Sequence, residues 1–417
     1  MMLVPRIWLV ALPALALVSQ LSAPKPPTYA KEIAPVLNRH CATCHSESKV
    51  APFSLVGYQN ARTHAATVAR VVELNYMPSW KAKAGYGEFK DCPTLSPAEK
   101  ALIAGWVKAG CPEGNPADAP PTPTFTPGWR LGAPDLIVSP VKPTNIPAVR
   151  GDFYRDYLID PHITKPTWVR AVDFRPANSG TVHHISPGLL AKAEAEKCRK
   201  LKFDHDDDSW ELKTVDDIES YNNLGFWSTG APPFQSPEGT AFLIKPGDCI
   251  LLDVHYKATG KPEVEQVKVG LYFCKEPPKD EMKVKIISNN SVYLQPGEPN
   301  TRVYLIGQKY SKPTTIYAVW PHMHYLGRTF KAWVKYPAGY SKPLVCIDDW
   351  DPDWQLLYYL KQPMTVPAGA KIYVTGTYDN SRGNPRNPNT PPIVVEAGPS
   401  SKDEMLFFEV YEVTHKP

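Results

Sequence analysis

The chain has 417 residues, enough for two or three domains. Its 43% hydrophobic and 21% charged residues are an ordinary globular balance, and a formal charge of +4 is too small to argue for nucleic acid or an acidic membrane surface as partner. The 46 prolines, with many aromatic and β-branched residues, favour a loop-rich β protein over a helical one.

Residues 1–23 read as a secretory signal. Arg6 supplies the positive region, residues 7–18 the apolar core, and Ser22-Ala23 the small-residue end. The apolar run is short for a membrane span, and no second run of spanning length follows. The expectation is a periplasmic or secreted protein with no span after signal cleavage, in a compartment that permits disulfides. An uncleaved anchor is the alternative.

Residues 26–115 show helical periodicity. Ile33, Val36 and Leu37 precede Cys41, and Ala65, Val68, Val71 and Val72 repeat the spacing. A third helix has Ser96 as N-cap, Pro97 in the first position, Glu99 to complete a capping box, and Gly110 as its stop. Its apolar face is Leu102, Ile103, Trp106 and Val107. Cys92 and Cys111 bracket this helix and are expected to form a disulfide.

Between the first two helices lies Cys41-Ala42-Thr43-Cys44-His45, the attachment pattern for c-type haem. Two thiols three apart can add to the two vinyl groups, and the adjacent His reaches the iron. A redox dithiol and half a zinc site are the alternatives. The region resembles a small class I-type cytochrome c domain. That resemblance implies one covalently bound haem c with a distal Met from a later loop, and Met77 fits. It is the only Met between residues 3 and 281. His64 is the other possible distal ligand and reads as a surface residue. A His/Met pair would raise the potential and suit electron transfer.

Residues 116–128 are a Pro-rich, semi-rigid linker. Beyond it the pattern turns to strands. In residues 249–256, Ile250, Leu252, Val254 and Tyr256 face one way, and Leu251, Asp253 and His255 the other. Residues 371–378 and 407–413 read similarly, with turn signals at Pro246-Gly247, Pro296-Gly297 and Gly369. About 290 residues is large for one sandwich, so two all-β sandwich domains are expected, 129–282 and 283–417.

The second of these carries His322-Met323-His324. In a strand, residues two apart share a face, so both imidazoles can address one metal, and imidazole suits copper, zinc, iron or nickel. Met323 would face away. His183-His184, His255 and Met405 are further ligand candidates. An adjacent His pair can bind one metal only if the strand bulges there.

The order His183-His184, Val254-His255-Tyr256, His322-Met323-His324-Tyr325-Leu326-Gly327, then Asp403-Glu404-Met405 resembles the type II copper, ascorbate-dependent monooxygenases, the family of peptidylglycine α-hydroxylating and dopamine β-monooxygenases. The likeness spans residues 130–417. It implies two jelly-roll-like sandwiches facing each other across a solvent cleft, with two coppers. His183, His184 and His255 would hold the electron-transfer copper, and His322, His324 and Met405 the oxygen-binding one. Two imidazoles and a thioether favour Cu(I) and leave a position open. Trp320, Phe407 and Glu409 stand where the peptide-amidating enzyme has its carboxylate-gripping groups, so the substrate is expected not to be a peptidyl-glycine. Leu406 stands in place of a family Cys. Cys198, Cys249, Cys274 and Cys346 allow three pairings.

The expected fold is therefore multidomain, a small all-α cytochrome c domain followed by two all-β jelly-roll-like sandwich domains. The expected function is a copper-dependent monooxygenase acting on O2 and an organic substrate. Its electrons would come from a small-molecule or protein donor, relayed through the haem. An exported haem/copper electron carrier and a binding module are the alternatives. Asp204-His205-Asp206-Asp207-Asp208 reads as a solvated acidic loop. Asp349-Trp350-Asp351-Pro352-Asp353-Trp354-Gln355 reads as packing and turn.

Overall fold

The computed structural model describes residues 25–46, 51–124, 128–200, 209–210, 221–288, 291–398 and 400–415. The signal segment 1–23, the acidic run 204–208 and part of the Pro-rich linker lie outside them. No helix among the described residues is long and apolar enough to cross a membrane.

The helical signals near the N-terminus act as written. Helix Pro97–Lys108 carries its capping box, with the Ser96 hydroxyl accepting from Glu99 N–H at 3.2 Å and Glu99 Oε2 accepting from Ser96 N–H at 2.8 Å. Helix Ala65–Glu73 buries Ala65, Val68 and Val72. These residues meet Ile33, Leu37, Ile103 and Trp106 in a small apolar core.

They do not make a separate domain. The expectation of a small all-α cytochrome domain followed by two jelly-roll-like sandwiches is overturned. The structure is mostly β, 38% strand against 14% helix, and no all-α cytochrome domain is evident. Its four larger sheets give a four-bladed, propeller-like arrangement. The physical reason lies partly in residues 80–90, which leave the helical core for the β body. Trp80 packs edge-on against Tyr358 (5.0 Å) and Phe89 (5.9 Å), and Ala82 joins the β core. Phe89 bridges to Leu360, Lys90 N–H donates to Tyr359 O at 2.8 Å, and Lys361 N–H to Glu88 O at 2.8 Å. The stretch thus serves as an edge to the strand Tyr358–Val366.

Cys92 and Cys111 are free thiols, against the disulfide expected of them. Cys111 is buried in the helical core, whereas Cys92 is exposed, its sulfur 3.3 Å from the Thr94 hydroxyl. Cys198 and Cys249 share a small apolar cluster, also as free thiols.

In the first large sheet the order is Leu136–Val138, Lys268–Phe273, Thr167–Arg175, Thr240–Ile244, Asp280–Glu281. The second centres on Cys249–Thr259, antiparallel to Arg150–Ile159 on one side and Val182–Leu190 on the other. The third runs Lys283–Ser288, Phe407–Thr414, Thr314–His322, Tyr358–Val366, and the fourth Thr301–Ile306, Lys371–Tyr378, Gly327–Lys335, Ser341–Ile347.

Two large cores fill the β body, and the third sheet serves both. Ile316, Val319, Phe408 and Val410 pack with Phe330, Val334, Ile372 and Val374 of the fourth sheet. From the same two strands, Ala318, Trp320, Phe407, Tyr411 and Val413 pack with Val172, Phe242, Ile185, Leu252 and Val254 of the first two sheets. Strand alternation sends neighbouring side chains to opposite faces, and Phe407–Thr414 is buried on both, down to the carboxylates of Glu409 and Glu412. This joins the two halves through continuous core. The chain crosses between them at Met282, itself fully buried.

Replacing Trp80 by Ala removes the aromatic anchor between the helical segment and the β body. It is expected to cost about 3 kcal/mol of unfolding free energy, the low end for a large aromatic because Trp80 is only partly buried. Urea titration followed in parallel by far-ultraviolet dichroism and tryptophan fluorescence would measure it, with the two probes moving together.

Candidate metal centre

The strand Val182–Leu190 carries His183 and His184 side by side, and the bulge that joint ligation requires is present. His255 pairs with His184 and Tyr256 pairs with Val182, so His183 is the extra residue in the ladder. Both rings then turn to the same side. His183 Nδ1 lies 3.1 Å from His184 Nδ1 and 3.1 Å from His255 Nδ1. The donor atoms of the three residues all lie within 4.8 Å of one another.

The other nitrogen of His255 is committed. Its Nε2–H donates to Asp152 Oδ2 at 3.0 Å, which leaves Nδ1 bare and aimed at its neighbours. Tyr154 stacks on the same ring, 4.1 Å away and 16° from parallel. Burial pushes all three histidines below their ordinary range, His183 to about 3, and each is further lowered by charge on a nearby His or Lys. Neutral rings whose Nδ1 lone pairs converge repel one another, and a cation at the centre relieves that repulsion. The trio fits a metal bound through nitrogen.

His322 ends the strand Thr314–His322, and His324 follows two residues later. Their rings stand 5.0 Å apart and nearly perpendicular, both buried. Met323 between them is fully buried in the opposite core, as the alternation predicts. Each ring has one nitrogen occupied. His322 Nδ1 bonds Gln355 Oε1, an amide whose own Nε2 donates to Pro352 O at 3.0 Å, and His324 Nδ1–H donates to Asp403 O at 3.0 Å. Both Nε2 atoms are thereby left for a ligand. Burial pushes His324 down to about 4 and His322 well below its ordinary range.

One carboxylate ties the backbones of His324 and Met405. Glu404 Oε2 accepts from His324 N–H at 2.9 Å and from Met405 N–H at 3.2 Å, and Oε1 from Leu326 N–H at 2.5 Å. The ladder that pairs Phe407 with His322 continues toward the same place. Burial pushes the Glu404 carboxyl up to about 8 against the pull of these N–H donors.

The His184 and His322 rings are 6.3 Å apart, and one pocket is lined by His183, His255 and His324 together with Asp152, Tyr325 and Asp353. Tyr325 OH donates to Asp152 Oδ2 at 2.8 Å, on the oxygen that also holds His255. Burial raises the Asp152 carboxyl, but the hydrogen bonds and charges of His255, Tyr325 and His183 outweigh it and hold the group below the usual carboxylate range.

Cys41, Cys44 and His45 follow helix Ala34–His40. His45 Nδ1–H donates to Phe53 O at 3.1 Å, leaving Nε2 to face a ligand. Phe53 lies 4.8 Å from the His45 ring and stacks at 3.9 Å on His64, so His64 and not only His45 belongs to this neighbourhood. Met77 donates its N–H to Val71 O at 3.2 Å, and Tyr76 beside it lies edge-on to Trp354 at 6.0 Å. Cys44 Sγ sits 4.0 Å from Gly230 O. Two residues before Gly230, Ser228 pairs with His184 in the sheet.

Asp152, Tyr325, Gln355, Asp353 and Glu404 carry roles that the sequence had not disclosed. The run 349–355, read as packing and turn, in fact supplies Gln355 to His322, Trp350 Nε1–H to His324 O at 3.1 Å, and Asp353 to the neighbourhood of His183 at 3.7 Å. Its density of Asp and Trp just after a His pair was the available signal. Asp152 had none.

No protein-family model and no curated protein matches the chain. Among solved structures, PNGF-II in the P21 space group is similar at 9% identity over 71% of this chain and 63% of that one, with a TM-score of 0.24. The infectious bursal disease virus Gx strain structure gives 8% identity, 70% and 75% coverage, and a TM-score of 0.20. The tandem CBM22-1–CBM22-2 domain of Paenibacillus barcinonensis Xyn10C gives 8% identity, 70% and 100% coverage, and 0.13. The chain thus spans under two thirds of the PNGF-II chain, and at these TM-scores none of the likenesses bears on fold or function.

Two outcomes follow from this geometry. Glu404→Gln sets an amide donor among N–H donors, so it is expected to cost about 1–3 kcal/mol of stability. It should also weaken copper at the His322/His324 group about 10–100-fold, read by competition with a chelator. For pH, the buried rings have folded pKa values below their unfolded value near 6.5. Below that pH the unfolded chain binds protons at these rings that the folded chain refuses, so the contribution of the histidines to metal-free stability is full above about 6.5 and falls as pH drops toward 4. Urea midpoints at pH 7.5 and pH 5 would show the second lower.

Proposed function

We propose that the protein is an exported copper-dependent monooxygenase that inserts one atom of O2 into a C–H bond of an organic substrate. The supporting observation is one pocket that is lined by His183 and His255 of the first group and His324 of the second. The Nδ1 atoms of His183, His184 and His255 converge, and the Nε2 atoms of His322 and His324 are left for a ligand. Two coppers, when bound, supply the two one-electron steps that the reaction R–H + O2 + 2 e⁻ + 2 H⁺ → R–OH + H2O requires.

The chain's own residues set the conditions for that chemistry. Asp152 fixes the His255 tautomer through Nε2, and Gln355 and the Asp403 carbonyl fix His322 and His324 through Nδ1. Glu404 pins the backbone at both His324 and Met405. Burial of the rings keeps bulk water out, so each hydrogen bond there acts in a low dielectric. Trp320 lies 4.9 Å from His322 and packs with Phe226 at 4.2 Å and Phe407 at 5.9 Å, an apolar wall. No carboxylate-gripping cation stands at Trp320 or Phe407, which argues against a peptidyl-glycine substrate.

Cys41, Cys44 and His45 are proposed to hold one haem c, with Met77 as the distal ligand read from the sequence and His64 as its rival. The placement of Cys44 against Gly230, two residues from the sheet partner of His184, supports electron entry on that side from a small-molecule or protein donor.

Elemental copper and pyridine-adduct haem on the copper-loaded full chain test the reading. Two coppers and one haem per chain, with O2 uptake that His324→Ala abolishes, are expected. One copper or none, or O2 uptake indifferent to His324, would return the protein to an electron carrier or a binding module.

A further inference from the structure

We infer that the outer face of the fourth sheet is a docking surface for an anionic lipid bilayer. The inference stands apart from the metal-site reading and uses none of its residues.

The chain-wide balance of 46 basic and 42 acidic residues hides a local asymmetry. The strands Thr301–Ile306, Lys371–Tyr378, Gly327–Lys335 and Ser341–Ile347 contain no Asp or Glu, and they carry Arg302, Arg328, Lys331, Lys335, Lys342 and Lys371. Among the described residues, none of these cations is ion-paired with a carboxylate. Asp348, just past Ile347, is taken by Lys83 at 2.6 Å. Lys335 and Lys371 are direct cross-strand partners, and both are exposed. Like charges so placed repel and weaken a sheet. An anionic surface laid over them removes that repulsion.

The register fixes what else the face presents. One side of the sheet is core, with Phe330, Val334, Ile372 and Val374 in it. Alternation therefore turns their neighbours outward. Ile306 pairs with Tyr373, Tyr373 with Trp333, and Trp333 with Pro343, an unbroken apolar row across all four strands. With neighbouring strands about 4.8 Å apart, the row is about 14 Å long. Ile306 is 60% exposed, and Tyr304, in the next row, 57%. Apolar side chains gathered in the open on one face mark an interaction site.

The rings decide among anionic partners. Trp333 and Tyr373 stack on one another, 5.7 Å apart and 15° from parallel. Lys331 Nζ stands 5.9 Å from the first ring and Lys335 Nζ 6.0 Å from the second. Rings covered in this way are poor platforms for a nucleic-acid base or a sugar, which need a bare face. Ring edges, an isoleucine and long lysines are what the headgroup level of a bilayer accepts. Aromatic bodies and lysine stems lie in the apolar boundary, and ammonium groups meet the lipid phosphates.

The full chain is mixed with vesicles of equimolar phosphatidylglycerol and phosphatidylcholine, or of phosphatidylcholine alone, and the bound fraction is read by co-sedimentation. Binding to the anionic vesicles that falls as salt rises, with little to the neutral ones, is expected. Each cation near an anionic surface is worth about fivefold in partitioning, so Lys331→Gln with Lys335→Gln should weaken binding about 25-fold. Tyr304→Ser with Ile306→Ser keeps every charge and should weaken binding to vesicles about tenfold. Its binding to heparin or single-stranded DNA, measured in parallel, should not change. No binding to anionic vesicles at low salt would overturn the inference. Equal binding to neutral vesicles, as the apolar run 7–18 alone would give, or binding that either double variant leaves unchanged, would do the same. Heparin or DNA bound more tightly than vesicles, and indifferent to Tyr304 and Ile306, would make the face a site for a soluble polyanion and overturn the lipid assignment.

Discussion

The third sheet, buried on both faces, is the constraint on which the rest depends. Val319 and Phe408 belong to one core while Trp320 and Phe407 belong to the other. A strand so placed has no freedom to slip, because a one-residue shift would exchange the contents of two cores at once. His322 is the last residue of that strand, so its position is set by packing on both sides. His184 is fixed from the other half by the ladder against Cys249–Thr259. The short approach of the two rings follows from where the sheets meet, and the hydrogen bonds around them refine it.

Around the rings, His255, His322 and His324 each use one nitrogen to fix their orientation and leave the other for a ligand. The partner differs in kind: a carboxylate for His255, an amide for His322, a backbone carbonyl for His324. A carboxylate partner makes an imidazole a stronger donor than an amide or carbonyl does, because it stabilises positive charge on the ring. The first group is accordingly the more electron-rich of the two.

The sequence disclosed residue types and local signals, and it disclosed them well where the controlling physics is local. The Ser96 capping box, the alternation that sends Met323 away from its neighbours, and the bulge demanded at His183 all have their causes within a few positions of the residues concerned. What it hid depends on distant contact. Asp152 reaches Tyr325 across 173 positions, and nothing near Asp152 in the chain marks it. The fold class failed for the same reason. Helical periodicity at 26–115 was real, but the intervening aromatic stretch with Trp80 and Phe89 has its partners in Tyr358 and Leu360, so an all-α unit could not close. The Cys92–Cys111 pairing assumed both ends of the helix shared one surrounding, whereas one lies in the helical core and the other on the outside.

That docked stretch also bears on biosynthesis. Lys81 meets Asp349 across 268 positions, and the N–H groups of Lys83 and Lys90 are satisfied by Cys346 and Tyr359. A nascent chain therefore carries residues 80–90 without their partners until almost the whole sequence has been made. Contacts that span so much of the chain are intrinsically slow to form. The segment made early is completed late, only once residues 346–361 have been added.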